Sequence, residues 1–484
     1  MSTDPNDREI DAAERMSEHE ALMWNIEKDP WLNPSGGGLF RFDQPIDADL
    51  LRARMRHAVS ELPRFMQRVQ PGFGRISTPA WVPDPEFNFD NHFRVVTLPS
   101  PGTQRQLLDM AAQLYMEPFD RTRPLWRMIV IDGLESGEGA LWTLIHHAIS
   151  DGVGQLRMAE MFQDLERDVP RSPDIDLDAL VADAVASAQA KEIGGDLGSS
   201  VVNSVSASVS HLLRRAAGTA RRTAGEVAMW PADPRRIGDR VAEVTEVVTD
   251  TAEMLTHTIE EGEGAPLWRE RSRHRHLESV TVPLDRLKAA SKAAGTTVNG
   301  AFVAAMADAA VKYHQDRDAA FDTLNVSFII STRADNKAGG NAFTPVLVQL
   351  PAVVASMAER IETTTTVLDE AKEAAGRSGG ITALSGVINL LPTSVVTRTA
   401  RSQAAKIDIA TSNLRGAPVP LFIGGAEVLH SVTMGPLAGT PCNATALSYC
   451  NNFDIGLFID PVAITEPDAF RQCVVDAFDR LLAT

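Results

Sequence analysis

The stretch Ile145-His146-His147-Ala148-Ile149-Ser150-Asp151-Gly152 follows the apolar run Ala140-Leu141-Trp142-Thr143-Leu144 and precedes a helical pattern, so it marks the seam between a buried strand and a helix. On a strand, successive side chains point to opposite faces. Thr143, Ile145 and His147 therefore share one face, and Leu144 and His146 the other. Two adjacent histidines cannot both face one cavity; one performs chemistry and the other braces it. Gly152 tolerates the backbone angles of a tight turn, and Asp151 is suited to cap the helix that follows.

An imidazole titrates near neutrality, so at a strand end it can take a proton from a hydroxyl as that oxygen attacks an acyl carbon. The competing reading is two packed, hydrogen-bonded core histidines, which a bare His-His pair would favour. Zinc-type spacing is missing, with no His at i+4 and no Cys nearby. A serine nucleophile has less support, since no Gly-x-Ser-x-Gly elbow stands near a strand end. The whole pattern His-His-x-x-x-Asp-Gly, set between strand and helix, is much rarer than a His pair and resembles the motif of coenzyme A-dependent acyltransferases.

At 484 residues and 44% hydrophobic, the chain can bury cores for about two domains. A formal charge of −18 argues against general nucleic-acid binding. Cys442, Cys450 and Cys473 lack paired spacing, which points to a reducing compartment without a disulfide framework. The polar, acidic start lacks the regions of a secretory signal, and no run reaches the roughly 18 apolar residues of a membrane span. The expectation is a cytoplasmic protein that touches lipid only from the surface.

Residues 1–15, charged and aperiodic, read as a disordered start, with order from Met16. Gly38–Phe42 reads as a strand ended by Pro45, and Asp47 caps a helix from Asp49 to Leu62 that Pro63 stops. Further strand is expected near Trp81, over Phe87–Phe93 and at Met128–Ile131, with a helix over Thr103–Tyr115. After Gly152, the residues Leu156, Ala159, Phe162 and Leu165 fall on one helix face and predict a core-packing stripe. From about Pro170 to Pro266 the composition shifts to Ala, Ser, Gly and charge, the mark of a linker. In it Arg214, Arg215, Arg221 and Arg222 share one helical arc, and residues 201–240 hold seven Arg against three acids. A solvated face and an anionic-lipid or phosphate contact are both open there.

In the second half, strands are expected at Leu277–Val282, Asn325–Thr332, Val346–Leu350 and Lys406–Ser412. Ala426–His430, Ala444–Cys450 and Phe453–Ile459 read as antiparallel strands. Helices are expected from Asp285 to Gly295, over Ala301–Tyr313 and Ala355–Ala375, and from Pro467 onward. The apolar run Ile381–Val396, broken by Asn389 and Pro392, reads as a packed or interfacial helix pair. Two α/β domains of mixed strands and helices would face each other across a cleft.

The His-His stretch has companions in a fixed order: Leu62-Pro63-Arg64-Phe65, Pro118-Phe119-Asp120-Arg121-Thr122-Arg123-Pro124-Leu125-Trp126, Val298-Asn299-Gly300, Ser331-Thr332-Arg333, Gly340-Asn341, Ser412-Asn413-Leu414-Arg415-Gly416-Ala417-Pro418, and Ser448-Tyr449 followed by Gly456. In this order and spacing, from about residue 16 to the C-terminus, the chain resembles the bacterial wax ester synthase/diacylglycerol acyltransferase family. The resemblance implies an α/β (α+β) fold of two chloramphenicol-acetyltransferase-like domains, with mixed sheets flanked by helices and a tunnel at their interface. The expected division is 16–170, a helical crossover over 171–270, and 271–484.

It also implies transfer of a fatty acyl group from acyl-CoA, as co-substrate, to diacylglycerol or a long-chain alcohol. No permanently bound cofactor, metal or nucleic-acid partner is expected; peripheral membrane or lipid-droplet contact is. Carried over by residue, His147 resembles the general base, and His146, Asp151 and Gly152 shape its loop. Pro124 and Trp126 match the Pro-Leu-Trp element, for which packing is the favoured role. Asn299 matches the Asn of an Asn-Asp pair, but Gly300 stands where Asp is usual. Ser412 and Asn413 are the candidate oxyanion donors in a turn that departs from the family's Ser-Asn-Val-Pro-Gly-Pro; turn capping is their alternative role. Arg333 is a chemically suitable partner for Asp151. Two other readings stay open: a same-fold transferase with a different acceptor, and a catalytically weak homologue that binds lipid surfaces.

Overall fold

The computed structural model describes residues 14–72, 78–150, 152–193, 264–331, 343–378 and 393–484. Asp151, the arginines 214–222, Arg333, the turn at Gly339, Gly340 and Asn341, and most of the apolar run 381–396 lie outside them.

Glu14–Arg15 (β1), expected within a disordered start, pairs with Trp81 and Ala80. Ser17 opens α1 (Glu18–Ile26) with a capping box, its hydroxyl accepting from the Glu20 N–H while the Glu20 carboxylate accepts from the Ser17 N–H. After β2 (Ser35–Phe42), Asp47 caps α2 (Ala48–Glu61) by accepting from the N–H groups of Asp49 and Leu50. β3 (Gln67–Gln70) and β4 (Ala80–Pro83) complete a small sheet with β1. The strand expected over Phe87–Phe93 is displaced to β5 (Phe93–Thr97), sharing only Phe93 with it, because Asn88 accepts from the Asp90 N–H and winds Phe89–Asn91 into a 3-10 turn. Thr103 and Gln106 form the capping box of α3 (Gln104–Met116), and β6 (Trp126–Asp132) and β7 (Gly139–His146) follow.

α4 (Gly152–Ala159) is shorter than its periodicity predicts. Asp164 exchanges two backbone hydrogen bonds of 2.8 Å with Phe422, which turns the chain off the helical path and leaves Leu165 72% exposed. The predicted core stripe is thus corrected: Leu156, Ala159 and Phe162 line a cavity, and Leu165 faces solvent. α5 (Leu177–Ile193) ends the described part of the first half.

The second half runs β8 (His276–Pro283), α6 (Leu284–Ala293), α7 (Val298–Gln315), β9 (Thr323–Ser331), β10 (Phe343–Pro351), α8 (Met357–Ser378), α9 (Thr393–Ala404), β11 (Ile409–Arg415), β12 (Phe422–Ile423), β13 (Ala426–Met434), β14 (Cys442–Tyr449), β15 (Asn452–Ile459) and α10 (Pro467–Leu482). α7 is apolar and buried over most of its surface, with Lys312 and Gln315 exposed, and packs on α8 and α10 and, through Phe302 on Phe453, against the second sheet.

One six-stranded sheet has the order β12-β13-β2-β7-β6-β5, the other β10-β9-β11-β14-β15-β8. Both are mixed: β5 runs parallel to β6, and β11 parallel to β9 and β14. The three late strands do not form one antiparallel set. β14 and β15 pair, but β13 crosses to the first sheet and pairs with β2. Gly456 permits the crossing, since a Cβ there would stand 2.1 Å from the Thr433 carbonyl oxygen. Buried Asp454 ties it down, accepting from the Ser431 N–H (2.9 Å) and the Thr281 hydroxyl (2.6 Å), with His430 Nδ1 at 3.1 Å.

Candidate active site

β7 ends at His146, and the alternation of faces read from the sequence continues into His147. Thr143, Ile145 and His147 line a cavity of about 530 Å³, while Leu144 and His146 point away and are fully buried. The His147 N–H donates to Pro34 O (2.9 Å) and the His146 N–H to Leu125 O (3.0 Å), so both backbone positions are fixed against neighbouring strand ends.

His146 braces the turn through its ring. Its Nδ1 accepts from the Ala148 N–H at 2.9 Å, which puts the ring proton on Nε2, 3.5 Å from Glu27 Oε2. Burial would raise the Glu27 carboxyl, but His146 and Arg121 more than offset that and hold it below the usual carboxylate range. Arg121 pairs with Glu27, donates to Trp24 O (2.8 Å) and lies 3.4 Å from the Trp24 ring centroid. A closed chain thus runs from Trp24 through Arg121, Glu27 and His146 to the backbone that carries His147.

The cavity lies between the two sheets. Phe65, Trp126, Met128 and Phe162 give it an apolar wall in the first half, while Ser412, Asn413, Asn443 and Thr445 bring polar groups from the second. The halves meet near the start of α4, where a Cβ on Gly152 would stand 3.3 Å from Leu414. Buried Tyr115 donates to Ser35 O at 2.7 Å, with Gly435 O 3.0 Å away, and so joins the start of β2 to the turn after β13.

Of the residues singled out in the sequence, His147, Gly152, Trp126, Ser412 and Asn413 line this one cavity. Trp126 does so while donating from Nε1 to Phe65 O (2.9 Å), so it packs and lines at once. Pro124 is buried outside the lining, and Asn299 sits half-buried in the first turn of α7, also outside it. Gly300 has a local reason: a Cβ there would stand 2.3 Å from Thr296 Oγ1, which is hydrogen-bonded to Thr365 Oγ1 at 2.6 Å.

Sequence reasoning missed Glu27, the role of Arg121, and Gln155. Gln155 lines the cavity beside His147, its amide nitrogen donating to Ser150 O (3.1 Å) and Ile145 O (3.4 Å). The run Gly36-Gly37-Gly38 was the available signal, since a glycine run in a strand marks close approach of something else. Among the described residues, His276, Glu278 and Asp468 gather their ligand atoms closely enough for a metal, but away from the cavity and with the Arg105 guanidinium already bonded to Glu278.

Residues 16–302 match the wax ester synthase/diacylglycerol acyltransferase catalytic domain, and residues 339–482 match the C-terminal domain of the same family. A putative diacylglycerol O-acyltransferase of Mycobacterium tuberculosis is 27% identical over 464 residues, covering 96% of this chain and 90% of the relative. Another from the same organism is 28% identical over 417 residues, covering 83% and 82%. Among solved structures, the wax ester synthase/diacylglycerol acyltransferase of Marinobacter aquaeolei VT8 superposes with a TM-score of 0.62 at 20% identity, covering 96% of this chain and 98% of that one. The first condensation domain of the CDA synthetase does so at 0.56 and 16%, covering 97% of each. The two-lobed chloramphenicol-acetyltransferase-like fold is therefore shared, and the chain belongs to the wax ester synthase/diacylglycerol acyltransferase family.

Proposed function

We propose that this protein moves a fatty acyl group from acyl-CoA to the hydroxyl of diacylglycerol or a long-chain alcohol, with His147 as general base. The observation that carries the reading is His147 opening into a largely apolar cavity, built from both halves and within the size range of small-molecule sites. His147 takes the hydroxyl proton as the oxygen attacks the thioester carbon. The tetrahedral intermediate expels the thiolate, which recovers the proton from the imidazolium. No acyl-enzyme is required. Ser412 and Asn413 are the proposed donors to the oxyanion, supported by their place on the cavity wall contributed by the second half.

The test is His147→Ala, with folding checked by thermal melt and thiol release followed with palmitoyl-CoA against alcohols and diacylglycerol. Turnover falls at least about 10²-fold if the imidazole is the base, and survival within about tenfold sinks the assignment. Adding a long-chain amine and a sugar to the acceptor panel decides between lipid hydroxyls and these other acceptors.

Peripheral lipid contact through the arginines 214, 215, 221 and 222 belongs to the same reading, and unchanged liposome binding after their replacement by Gln removes it. No helix among the described residues is long and apolar enough to cross a membrane. Cys442, Cys450 and Cys473 are free thiols, which fits a reducing, cytoplasmic setting.

A further inference from the structure

Strand register lays out the face of the first sheet that leads up to His147. Gly36, Ile145 and Trp126 stand opposite one another on β2, β7 and β6, followed by the row Gly38, Thr143 and Met128 and then by Phe40, Leu141 and Val130. Side chains directly opposite on paired strands share a face. All six residues of the first two rows line the cavity. In the third row only Phe40 does, while Leu141 and Val130 are fully buried and stand outside the lining. Along β7 the cavity therefore ends between Thr143 and Leu141. The Phe40 ring closes that end. A Cβ on Gly38 would stand 3.2 Å from Phe40 Cε2 and 3.5 Å from its Cζ, so the ring leans back along the strand over Gly38, toward the imidazole. Glycine at position 38 makes the room for it.

Between the imidazole and that ring the sheet offers hydrocarbon contact. Ile145, Met128 and Phe40 are apolar, Trp126 Nε1 is already taken by Phe65 O at 2.9 Å, and the Thr143 hydroxyl faces Gly38 O at 3.4 Å. Polar lining groups stand elsewhere: Gln155 beside the imidazole, Thr433 across β2 on β13, and Ser412 and Asn413 in the second half. A diacylglycerol carries ester groups and two chains, which suit the polar side of the cavity. An acyl tail past its thioester carbonyl is one bare chain, which suits the apolar stretch. We infer that this stretch holds the acyl chain of acyl-CoA, with the thioester at His147, and that Phe40 is the specificity-determining residue that sets the longest chain accepted. The inference rests on the acyl-transfer reading above and adds the donor's chain length to it. A chain that reaches past the ring has to displace it or stay outside, and a methylene that does not fit an apolar pocket costs about tenfold or more in kcat/KM.

The experiment uses the full chain in two arms. The first fixes the acceptor, the better of hexadecanol and dioleoylglycerol, and measures kcat/KM for saturated acyl-CoAs from octanoyl to arachidoyl. The second fixes the best of these acyl-CoAs and varies the chain of the acceptor. In the wild type kcat/KM should drop about tenfold or more at one point of the first series, and Phe40→Ala should move that drop to chains about two to four carbons longer. Phe40→Trp should move it to shorter chains. The acceptor profile should be the same in the wild type and in Phe40→Ala. If Phe40→Ala does not fold, as judged by thermal melt, Phe40→Leu supplies the reading, with a smaller shift in the same direction. A wild-type series with no drop up to arachidoyl-CoA overturns the proposal, as does a drop that stays in place when Phe40 is shortened. A shift in the acceptor profile also overturns it, since that would assign the apolar stretch to the acceptor. Failure of the underlying reading is distinct, for the wild type would then form ester from no pair of substrates.

Discussion

The two six-stranded sheets differ in what their central strands bring to the cavity. β7 leads into His147, the imidazole that lines the cavity, held from behind by the chain Trp24–Arg121–Glu27–His146. β11 and β14 bring neutral groups that bond to backbone or to one another: Thr411 donates to Ser327 O (3.0 Å), Thr445 to Asn443 Oδ1 (2.7 Å), and Asn443 to Pro436 O (3.0 Å). In the proposed mechanism, proton handling is concentrated in one lobe, while the other offers shape and polar contact. A transfer reaction needs both, because the group that accepts a proton must be fixed more rigidly than the walls that accept a chain.

The sharpest way to break this contrast is to compare the two histidines. His147→Ala should remove catalysis, as argued above, with little change in melting. His146→Ala should do the reverse, costing about 3 kcal/mol, since it opens a void and strands the Ala148 N–H inside the core. Chemical denaturation measures the second. Equal kinetic loss from the two variants with no stability difference would erase the division between brace and base.

Glu27→Ala comes next, at about 2–3 kcal/mol, because it leaves the half-buried Arg121 and the fully buried His146 without the carboxylate between them. The pH dependence has a definite sign. The Glu27 carboxyl is held below its ordinary value in the folded protein, so its contribution is fully present above about pH 4.5 and is lost as pH falls through the lowered folded value. A wild-type minus Glu27→Ala stability difference that grows on acidification would show that the carboxylate is not held by its cationic neighbours.

Much of the first lobe was legible because its signals are local. The Asp47 cap, the helix over Thr103–Tyr115, the stop at Pro63 and the face shared by Thr143, Ile145 and His147 each depend on a few neighbouring residues. What was misread or missed depends on partners far along the chain. Leu165 reads as core until Phe422 pairs with Asp164 and turns it outward, and β13 reads as a partner of β14 until Gly456 lets it cross to β2. Glu27 carries no local mark at all; only the folded chain sets it beside His146. Gly300 lies between the two classes: the atom that would crowd its side chain is the nearby Thr296 hydroxyl, but that hydroxyl is held by Thr365, far along the chain.

That glycine tests the second lobe as scaffold and wall. Gly300→Ala should cost about 1–2 kcal/mol through crowding against Thr296, with turnover per folded molecule unchanged, because this part of α7 does not line the cavity. A kinetic defect larger than the loss of folded protein would mean that the start of α7 reaches the substrate after all.

The smallest effect concerns what joins the lobes. Arg105 of α3 pairs with Glu278 of β8 and donates to Leu277 O at 2.8 Å, with His276 and Arg471 also facing the carboxylate. The guanidinium is about a third exposed, so Arg105→Met should cost no more than about 1 kcal/mol at neutral pH. Burial would raise the Glu278 carboxyl, but His276 and the arginines more than offset it and hold it below the ordinary value. The penalty should therefore be complete above about pH 4.5 and fade as the carboxylate protonates below that. If Arg105→Met instead slows turnover at neutral pH more than the loss of stability accounts for, the clamp sets the spacing between the imidazole and the polar wall. The two lobes would then share the geometry that the contrast assigns to one.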